Sequence, residues 1–504
     1  MKRVLLCVLL AACGGDDHPA NGDGGGGGDD AAQPDGPPIS PPTTCTVPAE
    51  GMQIDTSAST NVVGHGSVET CTAAALEAAV QQGGLIRFDC GPANVAIQLT
   101  HALVINNTAG SDMLGDVVID GGGLITLDGN AVTRHIYLNA CAPPYNSPHC
   151  DTFPHPHLTV ENMRFINGSD NSNDGGGSIY REGGALTVID STFENNHGAY
   201  SGQDTAGGAI RLVQATPALI VGSTFADNTC SDGGAIGSLQ ATPVTIINSV
   251  ITHNQTTGTG GNPGDGGNGG GIYHDGTGLE LTLCGVQLTN NTANAFGAGL
   301  FYVDDAGQGT VSIANTEIDT NTIAQVSGMP SHGGGGYIQG ADITLANVTI
   351  ANNSAGYAAG LYTNLMNGNG SLNGTNVTSA NNAGDGLTNS GCAGTLLNAT
   401  FAGNTRGITG AGTLTLTNSI VADGCDVAAA GGANSFSADG SCGAGFSTAD
   451  AMLGTLGVTG TGYLQTIAPA AASPAKAAGQ GCPATDELGT ARPANGCTSG
   501  AYQL

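Results

Sequence analysis

From about residue 158 almost to the end, short aliphatic stretches alternate with polar positions, broken by glycine turns and by asparagine. Leu158-Thr159-Val160 and Val244-Thr245-Ile246-Ile247 show the two-residue alternation of a half-buried strand, rich in Thr, Val and Ile. Many units close on a Phe-x-x-Asn step, Phe193 to Asn196, Phe225 to Asn228 and Phe401 to Asn404, with Phe165-Ile166-Asn167 a form one residue shorter. Ile251, Leu288, Ile318 and Ile350 fill the same slot, followed by Asn254, Asn290, Asn321 and Asn352. A second apolar stretch follows each glycine turn, as in Gly207-Gly208-Ala209-Ile210, Gly233-Gly234-Ala235-Ile236 and Gly270-Gly271-Ile272-Tyr273. No window sustains a helical period.

Self-similarity at a spacing of roughly 20–50 residues means a solenoid, propeller or array. A propeller needs four strands per repeat and a steadier length; the units here carry two stretches and vary with loops such as 256–270. The fold class predicted is all-β: a single-stranded right-handed parallel β-helix, or solenoid, with a short N-terminal capping helix over Ala73–Gln81. Phe193 and Phe225 are expected to point inward and stack. The asparagines are expected to form turns, because Asn tolerates the left-handed region, and to bond from coil to coil in a ladder.

The composition narrows the function classes. The chain has 504 residues, 85 glycines, no tryptophan, ten Lys plus Arg and a formal charge of −30. Nucleic-acid binding through phosphates is excluded, since no basic patch exists to release counterions. Polyanions are repelled unless a divalent cation intervenes. Calcium is the one cofactor left open, and otherwise none is expected.

Residues 1–12 read as an export signal: Met1-Lys2-Arg3, a short apolar core over Val4–Leu10, then small residues. The core is too short to span a membrane. Leu10-Ala11-Ala12-Cys13 resembles the bacterial lipobox, which implies lipid attachment at Cys13 and a membrane partner through the acyl chains. Gly14 in place of Asp resembles the sorting signal for the outer membrane, on a side left open. Residues 13–44 form a Gly/Asp/Pro tether with too few aliphatics to fold. The β-helix with its cap is assigned to 45–446 and a C-terminal cap or tail to 447–504.

Twelve cysteines follow Cys13, an even number that suits disulfides in an exported chain. Proximity suggests Cys71–Cys90, Cys141–Cys150, Cys425–Cys442 and Cys482–Cys497. Cys45, Cys230, Cys284 and Cys392 either pair or stay as buried thiols.

The exported region resembles bacterial right-handed parallel β-helix proteins of the pectate-lyase-like superfamily. Cys71 to Leu76 with Ile86 to Cys90 looks like their entry cap, and Val118 to Gly129 like their first full rungs. The Phe-x-x-Asn and Gly-Gly-Ala-Ile steps are similar to those of chlamydial polymorphic outer-membrane proteins. The tail, Cys482 to Asp486, Ala491-Arg492-Pro493 and Gly500-Ala501-Tyr502, resembles the ending of a subset whose anchors vary.

The resemblance brings enzymes that cut acidic polysaccharide into question. A lyase needs clustered carboxylates for a cation and a nearby base. Asp170 and Asp174 share a polar loop, Asp304 and Asp305 follow a strand, and Arg164, Arg181 and Arg211 fall on nearby coils, where pairing with local carboxylates is expected. A glycosidase needs two carboxylates facing one bond, and Asp304 and Asp305 alternate sides. His65 in Gly64-His65-Gly66 reads as a turn residue, and 261–271 as a solvated loop. No catalytic set is assigned. The stretch after Phe446 is too short and too Ala/Gly-rich for a membrane barrel. The sequence therefore reads as a lipid-anchored envelope module for binding, adhesion or structure, with a polysaccharide lyase or hydrolase as the alternative. Carbohydrate and a surface protein are the partner classes left open.

Overall fold

A computed structural model describes residues 40–106, 115–143, 150–170, 174–324, 331–457 and 462–504. Cys13 and the tether up to residue 39 lie outside the described residues. The chain from Ser40 onward is a right-handed parallel β-helix. The capping helix is Ala73–Gln82; Thr72 caps its N-terminus through the Ala75 N–H, and Leu76, Ala79 and Val80 face the core.

Each full coil has three faces, not the two the repeat suggested. A long sheet of parallel strands supplies two of them, because strands such as Val244–Thr252 and Ala341–Ala351 bend at one left-handed residue, Asn248 or Asn347. An eleven-stranded parallel sheet, from Leu103–Asn106 to Arg406–Thr409, supplies the third. In most coils the bend falls on an asparagine, Asn162, Asn248, Asn315, Asn347, Asn376 or Asn398, which the sequence reading did not separate from those at the strand ends.

Inside, like stacks on like. Phe165, Phe193 and Phe225 are fully buried, with ring centroids 4.7 and 4.8 Å apart and planes 8° and 3° from parallel. Ile251, Leu288, Ile318 and Ile350 continue that column. The aromatic residues therefore do point inward.

The strand-end asparagines divide two jobs that the sequence reading had given to one residue. The first position takes the left-handed conformation: Asn167, Asn195, Asp227, His253, Asn290, Thr320, Asn352 and Asn381. The next position builds a buried ladder. Asn196, Asn228, Asn254, Asn291, Asn321, Asn353 and Asn382 each donate through Nδ2 to the Oδ1 of the next, ending on Asn404, at 2.8–3.1 Å. Asn290 and Asn352 are thus turn formers, and Asn291 and Asn353 are the rungs. A buried amide must satisfy all its polar atoms, and only the same amide one coil away repeats that geometry.

The second corner receives both ends of the described chain. On the N-terminal side the Cys45 backbone brackets the Asn248 amide at 2.8 and 2.9 Å. Gln53 donates to Asn162 and Asp190, the Ile54 N–H to Glu161 and the Thr56 hydroxyl to Asp120. Residues 45–56 are therefore a strap running back toward the first coils. The C-terminal segment returns along the same corner. Asn418 donates to the Gln480 carbonyl, Asn398 to those of Thr498 and Gly500, and Asn376 to that of Thr485. Strap and tail meet where the Thr44 hydroxyl lies 3.2 Å from that of Tyr463, which bonds the Asn315 carbonyl. Chain entry is thus at mid-length of the solenoid.

Five disulfides join described residues: Cys45–Cys284, Cys71–Cys90, Cys141–Cys150, Cys425–Cys442 and Cys482–Cys497. Cys230 and Cys392 are buried thiols; burial holds the Cys230 thiol up near about 12, where it is inert.

Candidate binding surface

The eleven-stranded sheet aligns side chains from distant parts of the sequence. Its first outward column reads Tyr137, Tyr180, Arg211, Gly237, Tyr273, Phe301, Tyr337, Tyr362 and Thr388. The column two residues on reads Asn139, Glu182, Val213, Leu239, Asp275, Val303, Gln339, Asn364 and Ser390. Tyrosine hydroxyls reach across: Tyr137 donates to Glu182 at 2.7 Å and Tyr337 to Gln339 at 2.6 Å. Neighbouring rings stack, Tyr137 on Tyr180 at 5.1 Å, Tyr273 on Phe301 at 5.1 Å, Phe301 on Tyr337 at 5.4 Å and Tyr337 on Tyr362 at 4.9 Å. Sequence reasoning missed this surface, because loops of unequal length hide the register.

Two loops cross the centre of the face. Loop 199–206 is pinned where the Arg211 guanidinium donates to the Asp204 carbonyl at 2.6 Å and the Tyr273 hydroxyl to the Asp204 carboxylate at 2.7 Å. The sheet offers Gly237 beneath it; a Cβ there would lie 2.3 Å from that of Ala206. Loop 257–267 is held by Asn262, which donates to Asp275 at 2.7 Å and to the Tyr273 hydroxyl at 3.0 Å. The 261–271 stretch is accordingly not a free solvated loop: Gly266 to Gly271 are buried in it.

Acidic groups collect under these loops, and burial raises their affinity for protons. Asp275 is pushed up to about 6, with its Tyr273 and Asn262 hydrogen bonds opposing the shift. Asp232 is pushed up to about 8 by burial, against two hydrogen bonds from Asn268. Burial thus favours the protonated form of Asp232. Titrating carboxyls in a recess are where acid–base chemistry is sought, yet Tyr273 between them is fully buried.

The arginines expected to pair with local carboxylates divide: Arg164 does so, whereas Arg181 and Arg211 donate to backbone carbonyls. Arg164 pairs with Glu194 on the long sheet, both half-exposed. Arg181 and Arg211 lie on one sheet with opposite orientation, because Arg181 registers with Leu212 and Arg211 with Tyr180. Arg181 is fully buried and donates to the Val213, Gln214 and Thr216 carbonyls and the Thr216 hydroxyl, with no carboxylate partner among these bonds. Burial lowers it to about 9. Arg134, not singled out from sequence, pairs with Asp170 and lies 4.9 Å from the Tyr180 ring centre. Asp304 is buried and caps the turn through the Ala306 and Gln308 N–H groups, while Asp305 is exposed. His65 sits in an exposed turn. Among the described residues, one cluster has metal-ligand spacing, Cys141, Cys150 and Asp151, and its sulfurs are joined as a disulfide.

The competing flat surface is the first face of the long sheet. Thr245, Thr282, Ser312, Thr344, Asn373, Thr395 and Thr415 form an outward column there, without rings. No helix among the described residues is long and apolar enough to cross a membrane.

No protein-family model and no curated protein sequence matches the chain. Among solved structures it is similar to PfbA, a surface adhesin of Streptococcus pneumoniae, at 11% identity and a TM-score of 0.36, over 70% of this chain and 90% of that one. A likeness at that level has no bearing on function.

Proposed function

We propose that the chain is a lipid-anchored binding module of the cell envelope that holds its ligand on the outer face of the eleven-stranded sheet. The partly exposed rings Tyr137, Tyr180, Tyr337 and Tyr362, beside Asn139, Glu182, Gln339 and Asn364, carry this reading; Tyr273 and Phe301 between them are buried. A binding site combines apolar rings with a few placed polar groups, and the described residues offer that combination along one sheet face, whereas the Thr column lacks rings. The domain scheme proposed is signal 1–12, tether from Cys13 to residue 44, solenoid 45–446 and tail 447–504, with outer-membrane attachment through Cys13. Chain entry at mid-length suits such a tether, since it leaves both ends of the sheet free to engage a long ligand. The test is membrane fractionation and lipid labelling of Cys13→Ser, with binding to surface polysaccharide measured in parallel. A soluble, unlabelled variant that still binds supports the reading; unchanged labelling and fractionation removes the lipid anchor from it.

A second reading, hydrolysis of polysaccharide, is favoured by one observation: Asp204 and Asp275 both accept from the Tyr273 hydroxyl, at 2.7 and 2.9 Å, and Asp275 titrates near about 6. Against it, that hydroxyl occupies the space between the carboxylates where a scissile bond would lie. Reducing-end release lost on Asp275→Asn would promote it.

A further inference from the structure

The C-terminal part of the aromatic column differs from the rest in what its polar groups do. The hydroxyls of Tyr137, Tyr273 and Tyr337 are all committed to neighbours on the sheet. Among the described residues, the Tyr357 and Tyr362 hydroxyls and the Asn364 amide make no intramolecular side-chain hydrogen bond. His332 adds a buried Nδ1 without a partner. The four residues form one group. His332 packs edge-on against Tyr357 at 5.1 Å and against Tyr362 at 5.2 Å, and Asn364 follows Tyr362 on the same outward face of the strand. Tyr357 is 46% exposed.

Ring geometry supplies the second observation. Phe301 and Tyr337 are stacked on both sides, and Tyr273, stacked on one side beside Gly237, is buried. Tyr362 stacks on Tyr337 on one side only, and the next column position is Thr388, which has no ring. On its Thr388 side Tyr362 therefore has no stacked ring; His332 packs against it edge-on, and the uncommitted hydroxyls and amide lie around it.

Charge selects what fits. His332, Tyr337, Tyr357, Tyr362 and Asn364 carry no fixed charge, and burial lowers the His332 affinity for a proton. Arg406, on the last strand of this sheet, is engaged by Asp426. Asp385 accepts hydrogen bonds from the hydroxyls of Thr388 on its own strand and Thr409 on the next. A carboxylated or sulfated sugar would find no free cation in this group and would meet the repulsion of a chain at −30. A neutral pyranose has the complementary chemistry. Its axial C–H face is apolar and suits a tyrosine ring, and its equatorial hydroxyls suit donors and acceptors around the rim.

We propose that Tyr357, Tyr362, Asn364 and His332 form a subsite for a neutral hexopyranose unit of a glycan chain. This rests on the reading of the eleven-stranded sheet as the binding face, and it names the ligand class and the place. The test is calorimetric titration of the mature chain with hexasaccharides of β-1,4-glucose, β-1,4-mannose and β-1,4-N-acetylglucosamine, with hexagalacturonate as the charged probe. Binding of at least one neutral hexasaccharide is expected, weakened roughly tenfold or more by Tyr362→Ala. Tyr362→Phe, which keeps the ring, should stay within about threefold, and so should Thr282→Ala in the threonine column of the other face. Melting temperature and circular dichroism identify any variant that fails to fold, in which case Asn364→Ala and Tyr357→Ala read the subsite instead. Neutral binding lost on Tyr137→Ala but not on Tyr362→Ala would overturn the subsite and leave the binding face standing. Binding of hexagalacturonate alone would overturn the ligand class, and no binding of any probe would overturn the proposal.

Discussion

Truncating Phe193 to alanine tests how the solenoid distributes its stability. The ring is fully buried between Phe165 and Phe225, at centroid distances of 4.7 and 4.8 Å. Removing a buried phenylalanine typically costs about 3–5 kcal/mol, from lost transfer and the cavity left behind. Two stacked contacts disappear together, which places the expected cost in the upper part of that range. In a stacked array each coil contacts its neighbours, so the loss should stay near the site. Hydrogen exchange reads this directly. Where exchange proceeds by local opening, about 3–5 kcal/mol accelerates amides by roughly 10²- to 10⁴-fold, at about 1.4 kcal/mol per decade. The affected amides should be those of strands His157–Ile166, Thr192–Glu194 and Thr224–Ala226. Those of Ser371–Ala380 and Ala393–Ala402, several coils away, should keep their rates. Unchanged protection in the first group would refute inward stacking; equal loss in both would refute the local, nearest-neighbour picture.

Tail docking should be acid-stabilised. Glu487 is buried against the Thr349 and Thr378 hydroxyls, and burial holds its carboxyl well above the ordinary range. Glu317, under Gln465, is pushed up to about 7 by burial. Both folded-state values exceed the unfolded ones, so the folded state binds more protons and stability falls as pH rises from about 4.5 through the folded pKa. For Glu317 that amounts to about 3 kcal/mol at most, lost by about pH 7. Proteolysis of the tail against pH should show this trend, and Glu487→Gln should flatten it; a tail more resistant at pH 8 than at pH 5 would contradict the burial argument. Reduction, or Cys45→Ser with Cys284→Ser, should change mechanical unfolding. The disulfide spans 239 residues, so pulling on the N-terminus of the oxidised chain should hide roughly 800 Å of contour that the reduced chain releases; equal contour lengths would show that the bond does not form. Asn291→Ala should destabilise by about 1–3 kcal/mol because it orphans ladder partners on both sides, including the Asn254 amide, whereas Asn290→Gly should cost little; equal effects in chemical denaturation would dissolve the division of labour between the two positions.

What could be read in the sequence was what repeats within one coil. Strand alternation, glycine turns, inward phenylalanines and the capping helix are local patterns, and Ala73–Gln82 and the Phe165–Phe193–Phe225 column follow from them. What stayed hidden depends on the register between coils. Tyr273 and Tyr337 share a column only because the loops between them close at unequal lengths, and Cys45 meets Cys284 only because the strap runs back along the corner. Arg181 was misread for a related reason: its neighbour Tyr180, one residue away, faces outward, so Arg181 must point into the core, where the Thr216 and Val213 carbonyls receive it.

The measurement that bears most directly on the central claim is a hydrogen-exchange footprint. The mature chain would be bound to total surface polysaccharide from the cell that makes it, and compared with the free chain. Protection should appear in Ile136–Asn139, Ile179–Glu182, Gly336–Gln339 and Leu361–Asn364, the strands under the partly exposed rings of the aromatic column. Protection confined to Gly309–Asp319, Ala341–Ala351 and Ala393–Ala402, which carry the threonine column, or no protection with polysaccharide bound, would contradict the assignment of the eleven-stranded sheet as the binding face.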